Sequence, residues 1–139
     1  MMNFRITDDG NERDIHEIYE MLKEYNISHR EASRNVPPGV FFEDENIKKL
    51  AGLTGETFGN RLCVRFLFVS ERFRGKGIGS RLLETAEKEA KRRGCKYAFV
   101  DTFSFQAPAF YKKHGYQEVF VLEEYPYTGK RHYYTKELL

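Results

Sequence analysis

Hydrophobic and polar residues follow each other along this chain with periods that change from segment to segment. From about Asn11 to Tyr25, apolar residues return at helical spacing, which predicts an amphipathic helix. Residues 62–69 (LCVRFLFV) form a nearly continuous apolar run, which is typical of a central strand buried on both faces. A second helix is predicted from about Gly77 to Arg93, and Gly94 follows it where glycine commonly ends a helix.

Shorter apolar runs predict the remaining elements. Residues 26–38 are polar and end in Pro-Pro before Gly39, which predicts a loop or a broken helix. A short helix with Pro108 in its first turn is predicted over 106–114. Strands are predicted over 4–7, 40–42, 49–58, 97–100, 116–122 and 131–136.

Hairpins are thus predicted on both sides of a strand–helix–strand unit, in the order β-α-β-β-β-α-β-α-β-β. That order predicts an α/β fold with a mixed sheet. The chain has 139 residues, which suits one domain over residues 1–139. On the sheet we expect Leu62, Val64, Phe66 and Phe68 to share one face, because side chains alternate along a strand.

Composition excludes several classes of protein. No apolar run approaches the roughly 20 residues that a membrane-spanning helix needs, and the first residues lack the apolar stretch of a secretory signal. Cys63 and Cys95 are too few for a disulfide framework, so we expect a cytoplasmic protein. The four histidines show no spacing typical of metal ligands, so we expect no metal site.

Charge is unevenly distributed although the net charge is only +2. Residues 1–60 hold twelve acids and seven bases, whereas residues 61–96 hold four acids and eleven bases. A basic middle suits a small ligand that carries phosphate, and it leaves nucleic acid as an alternative. The basicity of the whole chain is too slight to favour nucleic acid.

The most informative segment is the turn over residues 72–80 (RFRGKGIGS), between the most apolar strand and the best helix. Three glycines at alternate positions let the backbone approach a ligand, and the N–H groups converge at a helix N-terminus that favours an anion. Arg74 and Lys76 add positive charge beside them. A phosphate or a pyrophosphate fits this chemistry, and a tight turn with solvated charges is the structural alternative.

Two other phosphate motifs fit this turn less well. A P-loop requires lysine after its last glycine, whereas Lys76 lies between Gly75 and Gly77. A dinucleotide fingerprint requires glycine where Ser80 stands, although Asp101, 22 residues after Gly79, mimics its ribose-binding acid. That fingerprint also belongs to repeated βαβ units, which the predicted hairpins do not supply.

Two motifs together resemble the GNAT superfamily of N-acetyltransferases. The pattern Arg72-x-x-Gly75-x-Gly77 resembles its acetyl-coenzyme A (acetyl-CoA) signature, and residues 107–116 (APAFYKKHGY) are similar to its A-x-x-[LF]-Y-x-x-x-G-[FY] element. The match is tightest over residues 62–116. The resemblance implies that the strands at 62–69 and 97–100 splay apart and hold the pantetheine arm of acetyl-CoA between them.

The resemblance also implies which residues bind acetyl-CoA. Pantetheine would bond to the backbone near Phe68 and Val69, and the oxyanion would meet a backbone N–H near Val69. Ser104 stands where the family often has an asparagine, with Gln106 as a polar substitute; capping of the short helix explains Ser104 equally well. The pyrophosphate would be held by Arg74, Gly75, Lys76, Gly77, Ile78, Gly79 and Ser80.

For catalysis, Tyr111 matches the family's tyrosine that protonates the coenzyme A thiolate, and a core aromatic is the alternative role. Many members carry a glutamate near the position of Arg65, and arginine cannot act as a base. Arg65 either orients the substrate or pairs with a carboxylate on a neighbouring strand. Glu56 is the first candidate base and Asp101 the second, and a water relay would make both dispensable.

The resemblance implies an enzyme that transfers the acetyl group of acetyl-CoA to a primary amine. A non-catalytic acyl-CoA sensor on the same fold is the alternative, and a nucleic-acid-binding domain is the third. The acidic bias of residues 1–60 indicates a cationic amine as acceptor. Relatives often dimerise through the C-terminal strands, where aromatic residues serve either such a contact or the core: Phe120, Tyr125, Tyr127, Tyr133 and Tyr134.

Overall fold

The computed structural model describes residues 1–29 and 36–139. They fall into two units, Met1–Ser33 and Arg34–Leu139. The first unit contains helix α1 (Glu12–Ile27), which confirms the predicted helix. Asn11 caps α1, since its side chain accepts hydrogen bonds from the N–H groups of Arg13 and Asp14. The organisation as one domain over residues 1–139 stays a prediction.

The strand predicted over residues 4–7 is wrong, because these residues adopt no regular secondary structure. A strand needs a neighbour for its N–H and C=O groups, and residues 1–29 contain no second extended segment. The loop predicted over 26–38 begins later than expected because α1 continues to Ile27, and residues 30–35 lie outside the described part of the chain. At its far end Val36 forms an isolated antiparallel bridge with Thr57.

The second unit contains a six-stranded mixed sheet with the strand order β1-β2-β3-β4-β6-β5. Neighbouring strands are antiparallel except β3 and β4, which are parallel. This confirms the predicted α/β fold. The strands are β1 (Gly39–Glu43), β2 (Lys49–Phe58), β3 (Arg61–Val69), β4 (Tyr97–Phe103), β5 (Gln117–Leu122) and β6 (Arg131–Glu137).

Two helices of this unit connect strands of the sheet: the first lies between β3 and β4 in the chain, and the second lies between β4 and β5. Helix α2 (Ile78–Arg92) packs on β1, β2 and β3 through a buried face of Ile78, Leu82, Leu83, Ala86 and Ala90, as its periodicity predicts. Gly94 follows α2 with φ +92°, a left-handed conformation that glycine adopts without a steric penalty. Helix α3 (Pro108–Lys113) begins two residues later than predicted.

A β-bulge interrupts β3 at Arg65. Thr54 of β2 pairs with Phe66 and the next residue of β2, Gly55, pairs with Val64, so Arg65 has no partner on β2. One inserted residue exchanges the two faces of a strand beyond it. The predicted common face is therefore wrong after Val64.

The exposed fractions of the β3 side chains show that the two faces of the strand exchange after Val64. Leu62 and Val64 are buried, whereas Phe66 and Phe68 are 75% and 63% exposed. Leu67 and Val69 pack against the core in their place. The bulge also depends on Gly55, because a Cβ there would clash with the carbonyl oxygen of Cys63.

The parallel strands β3 and β4 pair only at their beginnings. Residues 61–63 of β3 are in register with residues 97–99 of β4, and beyond these residues the two strands no longer pair with each other. The gap between residues 64–69 and residues 100–103 confirms that the middle strands are splayed. Peptide groups that line this gap lack the sheet partners that a closed ladder would supply.

Candidate functional site

The turn between β3 and α2 presents a row of backbone N–H groups. Gly75 and Gly77 have φ of +76° and +78°, and Gly77 is the N-cap of α2. The first N–H groups of a helix have no intrahelical partner. In the described residues, none of the N–H groups of residues 76–80 donates to a protein acceptor, and the first bond of this region is Arg81 N–H to the Gly77 carbonyl. This donor set fits a pyrophosphate.

Two side chains of the turn, Arg74 and Lys76, contact residues that precede them in the chain. Arg74 Nε donates to the carbonyl oxygen of Val69 at 2.9 Å, and its guanidinium lies over the ring of Phe68 at 5.4 Å. Lys76 Nζ lies 5.5 Å from the centre of the Phe73 ring. The Arg74 side chain thus fastens the turn to the end of β3.

The Ser80 hydroxyl contacts His114, a residue to which the sequence assigns no role. Its Oγ lies 2.8 Å from Nε2 of His114, which follows α3. The ring of His114 packs 4.7 Å from that of Phe110, and a Cβ on Gly79 would come within 3.6 Å of Phe110. The start of α2 therefore packs against α3, and this contact brings the turn close to the element that carries Tyr111.

Val69 directs its own N–H into the gap. Successive peptide groups of a strand point to opposite sides, and Ser70 N–H bonds to the Leu50 carbonyl of β2 at 3.0 Å. The N–H of Val69 consequently points away from β2 and towards β4. An unpaired N–H in this position suits an oxyanion or a pantetheine carbonyl.

Tyr111 lies on α3 among aromatic residues. Its ring is 5.7 Å from that of Tyr116 and 6.3 Å from that of Tyr134, and the residue is 5% exposed. Burial, reinforced by the charge of Asp101, raises the pKa of Tyr111 to about 12. No hydrogen bond of its hydroxyl is found within residues 1–29 and 36–139. Tyr111 therefore keeps its proton at neutral pH and has it available for transfer.

Glu56 and Arg65 form an ion pair across β2 and β3. Arg65 Nη2 donates to Glu56 Oε2 at 3.0 Å, which confirms the prediction that Arg65 pairs with a carboxylate on a neighbouring strand. The hydrogen bond to Glu56 raises the pKa of Arg65 above its ordinary value. Arg65 lies in the bulge, two residues beyond Cys63, which is the partner of Glu56 in the ladder.

The second candidate base, Asp101, is also paired. Its Oδ1 accepts hydrogen bonds from Nε of Arg131 at 2.8 Å and from Nη2 of the same guanidinium. Arg131 comes from β6, 30 residues away, and no local signal in the sequence indicates it. Cys63 lies near these charges, and its pKa is raised by burial first and by Asp101 and Glu56 in addition. Both candidate bases are thus held where the gap opens.

The side chains of Ser104 and Gln106 form hydrogen bonds with residues around the end of β4. The Ser104 hydroxyl lies 2.9 Å from His132 Nε2 and 3.3 Å from the carbonyl oxygen of Lys130. Gln106 Oε1 accepts from the N–H of Phe103 at 2.8 Å. The alternative role of Ser104 as a helix cap is wrong, because α3 begins after Ala107 without a side-chain cap.

The basic face of α2 is partly neutralised. Arg92 and Arg93 both bond to Glu89, and together they lower the pKa of that carboxyl to about 2. Lys91 bonds to the carbonyl oxygen of Leu139. These contacts leave fewer cations for a nucleic-acid backbone than the sequence indicates.

Within the described residues, no helix has the length and apolarity that crossing a membrane requires.

Comparisons with known proteins agree with this geometry. The model of the acetyltransferase (GNAT) family matches residues 4–116. The acetyltransferase Atu2258 of Agrobacterium fabrum is 32% identical over 118 residues, 85% of this chain and 86% of that protein. The blasticidin-S acetyltransferase of Streptomyces morookaense is 40% identical over 88 residues, 63% of this chain and 65% of that protein. A crystal structure of an acetyltransferase from Bacillus cereus is 34% identical and has a TM-score of 0.85, covering 96% of this chain and 98% of that one.

Proposed function

Because the chain belongs to the GNAT family of acetyl-CoA-dependent acetyltransferases, we propose that it acetylates a primary amine by direct attack of the amine on the thioester. The observation that carries this proposal is the gap between β3 and β4. At one end of the gap stand the unpaired N–H groups of residues 76–80, and Tyr111 on α3 has a free, protonated hydroxyl. Acetyl-CoA, when bound, supplies an acetyl group that is activated as a thioester.

The residues proposed to hold acetyl-CoA form two groups, one for the pyrophosphate and one for the pantetheine arm. Backbone donors serve the pyrophosphate, since the left-handed conformations of Gly75 and Gly77 direct the N–H groups outward. Phe68 and Val69 offer backbone to the pantetheine arm on the β3 side, and Ser104 offers a hydroxyl on the β4 side. The full set is Phe68, Val69, Arg74, Gly75, Lys76, Gly77, Ile78, Gly79, Ser80 and Ser104.

Tyr111 is proposed as the general acid that protonates the departing thiolate. A phenol with a pKa of about 12 carries its proton throughout the neutral range. Loss of this hydroxyl should therefore lower turnover.

Glu56 is proposed as the general base. An alkyl amine has a pKa of about 10, so only about one molecule in a thousand is neutral at pH 7 and a base is useful. Glu56 lies beside the opening of the gap, and Arg65 fixes its side chain at 3.0 Å. The Arg65 guanidinium occupies one oxygen of Glu56 and leaves the other as an acceptor.

The acceptor is proposed to be a cationic amine, because residues 1–60 contain twelve acids and seven bases.

The chain is further proposed to form a homodimer through the C-terminal strands, since β5 is an edge strand that exposes Phe120. Sedimentation equilibrium tests the dimer. A reducing cytoplasm is the proposed location, in line with two free thiols, Cys63 and Cys95.

The experiment has two stages. A thermal-shift titration compares acetyl-CoA with NAD, ATP and a duplex oligonucleotide, and a site filled at 100 times its Kd should add about 2.7 kcal/mol of stability. A thiol-release assay then screens amines, with charged and neutral members of similar size and with blasticidin S, the antibiotic that names one relative. Stabilisation by acetyl-CoA together with amine-dependent thiol release supports the proposal.

Other outcomes separate the alternatives. Stabilisation by acetyl-CoA without thiol release over a broad amine panel would support an acyl-CoA sensor instead. Stabilisation only by the oligonucleotide, lost at high salt, would support a nucleic-acid-binding domain. Faster reaction of neutral amines than of charged ones would refute the cationic acceptor and leave acetyl transfer standing.

A further inference from the structure

Three side chains from separate segments form a hydrogen-bonded chain on the sheet. Ser104 follows β4, His132 lies on β6 and Glu118 lies on β5. Ser104 Oγ is 2.9 Å from His132 Nε2, and His132 Nδ1 is 2.6 Å from Glu118 Oε1. These distances match a serine nucleophile, its base and the carboxylate that orients the base.

The chemistry of the carboxylate sets the direction of the hydrogen bond between His132 and Glu118. The hydrogen bond from His132 lowers the pKa of Glu118, so this side chain is a carboxylate at neutral pH and can only accept. Nδ1 of His132 is therefore the donor to Glu118, and in the neutral tautomer that this bond selects Nε2 can accept from the Ser104 hydroxyl, which also lies 3.3 Å from the Lys130 carbonyl oxygen. Tyr134 donates to the same Oε1 at 3.3 Å and helps to hold the carboxylate in place.

The Ser104 side chain is accessible, and, within the described residues, an unpaired backbone N–H follows it. Ser104 is exposed, whereas the side chain of His132 is 15% exposed and thus shielded by its neighbours. The N–H of Phe105, the residue after Ser104, has no acceptor in the described part of the chain, while Ser104 and Gln106 both use theirs. An unpaired N–H directly after a nucleophile is a donor for an oxyanion.

We propose that Ser104 is the nucleophile of an esterase-type site that accepts acyl groups from small activated esters and thioesters. Ser104 Oγ forms an ester bond to the acyl carbon while the bond from that carbon to the leaving alcohol or thiol breaks. His132 takes the hydroxyl proton and passes it to the leaving group. Water then attacks the acyl-serine with His132 as base, which releases the carboxylic acid and restores Ser104.

A second serine–histidine pair in the same molecule can be compared with Ser104 and His132. Ser80 and His114 form a second serine–histidine pair at 2.8 Å, but no carboxylate bonds to His114 among the described residues. Without a carboxylate, nothing fixes the proton on the distal nitrogen of the ring, and the serine is not activated. The proposal therefore assigns acylation to Ser104 and none to Ser80.

The test uses the full chain and p-nitrophenyl acetate as the probe. The release of p-nitrophenolate is followed, and peptide mass spectrometry locates the added acetyl group, which we expect on Ser104. Ser104→Ala should abolish that label, and His132→Gln should slow it about 10²-fold. Ser28→Ala is the matched control, because Ser28 is exposed and its hydroxyl bonds to the Tyr25 carbonyl, its one hydrogen bond within the described residues.

Glu118 acts through His132 and is a positioning residue, so its variants need a readout beyond stability. Glu118→Gln should slow acylation at least about tenfold, and Glu118→Asp, which keeps a carboxylate, should restore part of the rate. Thermal unfolding of each variant identifies a loss of fold, and Ser104→Ala removes only one exposed hydroxyl. Labelling of Ser80, equal release by wild type and Ser104→Ala, or equal rates for the two Glu118 variants would overturn the proposal. The assay needs neither acetyl-CoA nor an amine, so its failure leaves the proposed amine acetylation untouched.

Discussion

The turn over residues 75–80 offers backbone groups, whereas the proposed catalytic cluster of Glu56, Arg65, Asp101 and Tyr111 offers side chains. The turn is one contiguous piece of backbone whose N–H groups follow from two left-handed glycines and the start of α2. The catalytic cluster consists of side chains from β2, β3, β4 and α3, and Arg131 of β6 holds Asp101 in place.

This difference decides how each region responds to change. A backbone site is disturbed only by a residue that blocks it or alters its charge, because no side chain supplies the donors. A side-chain site depends on each functional group separately. Substitutions should therefore separate binding of acetyl-CoA, proposed for the turn, from turnover, proposed for the catalytic cluster.

The largest effect is expected from Gly77→Glu. This substitution places negative charge at the N-cap of α2, where the unpaired N–H groups attract an anion, and it should abolish acetyl-CoA binding in a thermal-shift titration. Gly77→Ala is the control, since it shares the strain of a left-handed residue, about 1–2 kcal/mol, without the charge. Equal binding by the two variants would show that the anion lies elsewhere.

The second effect is expected from Glu56→Gln, which keeps the shape of the side chain but removes the base. It should lower kcat/KM about 10²-fold while leaving the Kd for acetyl-CoA nearly unchanged. Glu43→Gln is the matched control, because Glu43 also faces a cation across two strands, Lys49 at 3.8 Å. If both variants retain full activity, a water relay or Asp101 replaces Glu56 in the mechanism.

The same division explains what sequence reasoning could predict. The glycine turn, Gly94 and the buried face of α2 are local features, so spacing along the chain was sufficient. The bulge at Arg65 was not predictable, because one extra residue leaves the apolar run LCVRFLFV unchanged and its fit depends on Gly55 of the neighbouring strand. The pairing of Asp101 with Arg131 depends on the register of β4 and β6, which no local pattern fixes.

The third effect is expected from Tyr111→Phe, which removes the proposed proton donor. Turnover should fall at least about tenfold, with affinity for acetyl-CoA nearly intact. Tyr116→Phe is expected to show the opposite pattern. Its hydroxyl donates to the buried Glu87 at 2.8 Å, so its loss should cost about 1–3 kcal/mol of stability and spare turnover. A loss of turnover in Tyr116→Phe alone would assign the acid to Tyr116.

The smallest effect is expected on stability in alkaline solution, and it isolates Tyr111 without any substrate. Its pKa is about 12 in the folded chain and about 10 when unfolded, so the unfolded state loses the proton first. The contribution of Tyr111 to stability is therefore complete below pH 10 and is lost as the pH rises from 10 towards 12. By pH 11 the wild type should have lost about 1.4 kcal/mol relative to Tyr111→Phe, measured by urea unfolding of both chains at matched pH. Parallel stability curves for the two chains would mean that burial and Asp101 do not raise the pKa of Tyr111.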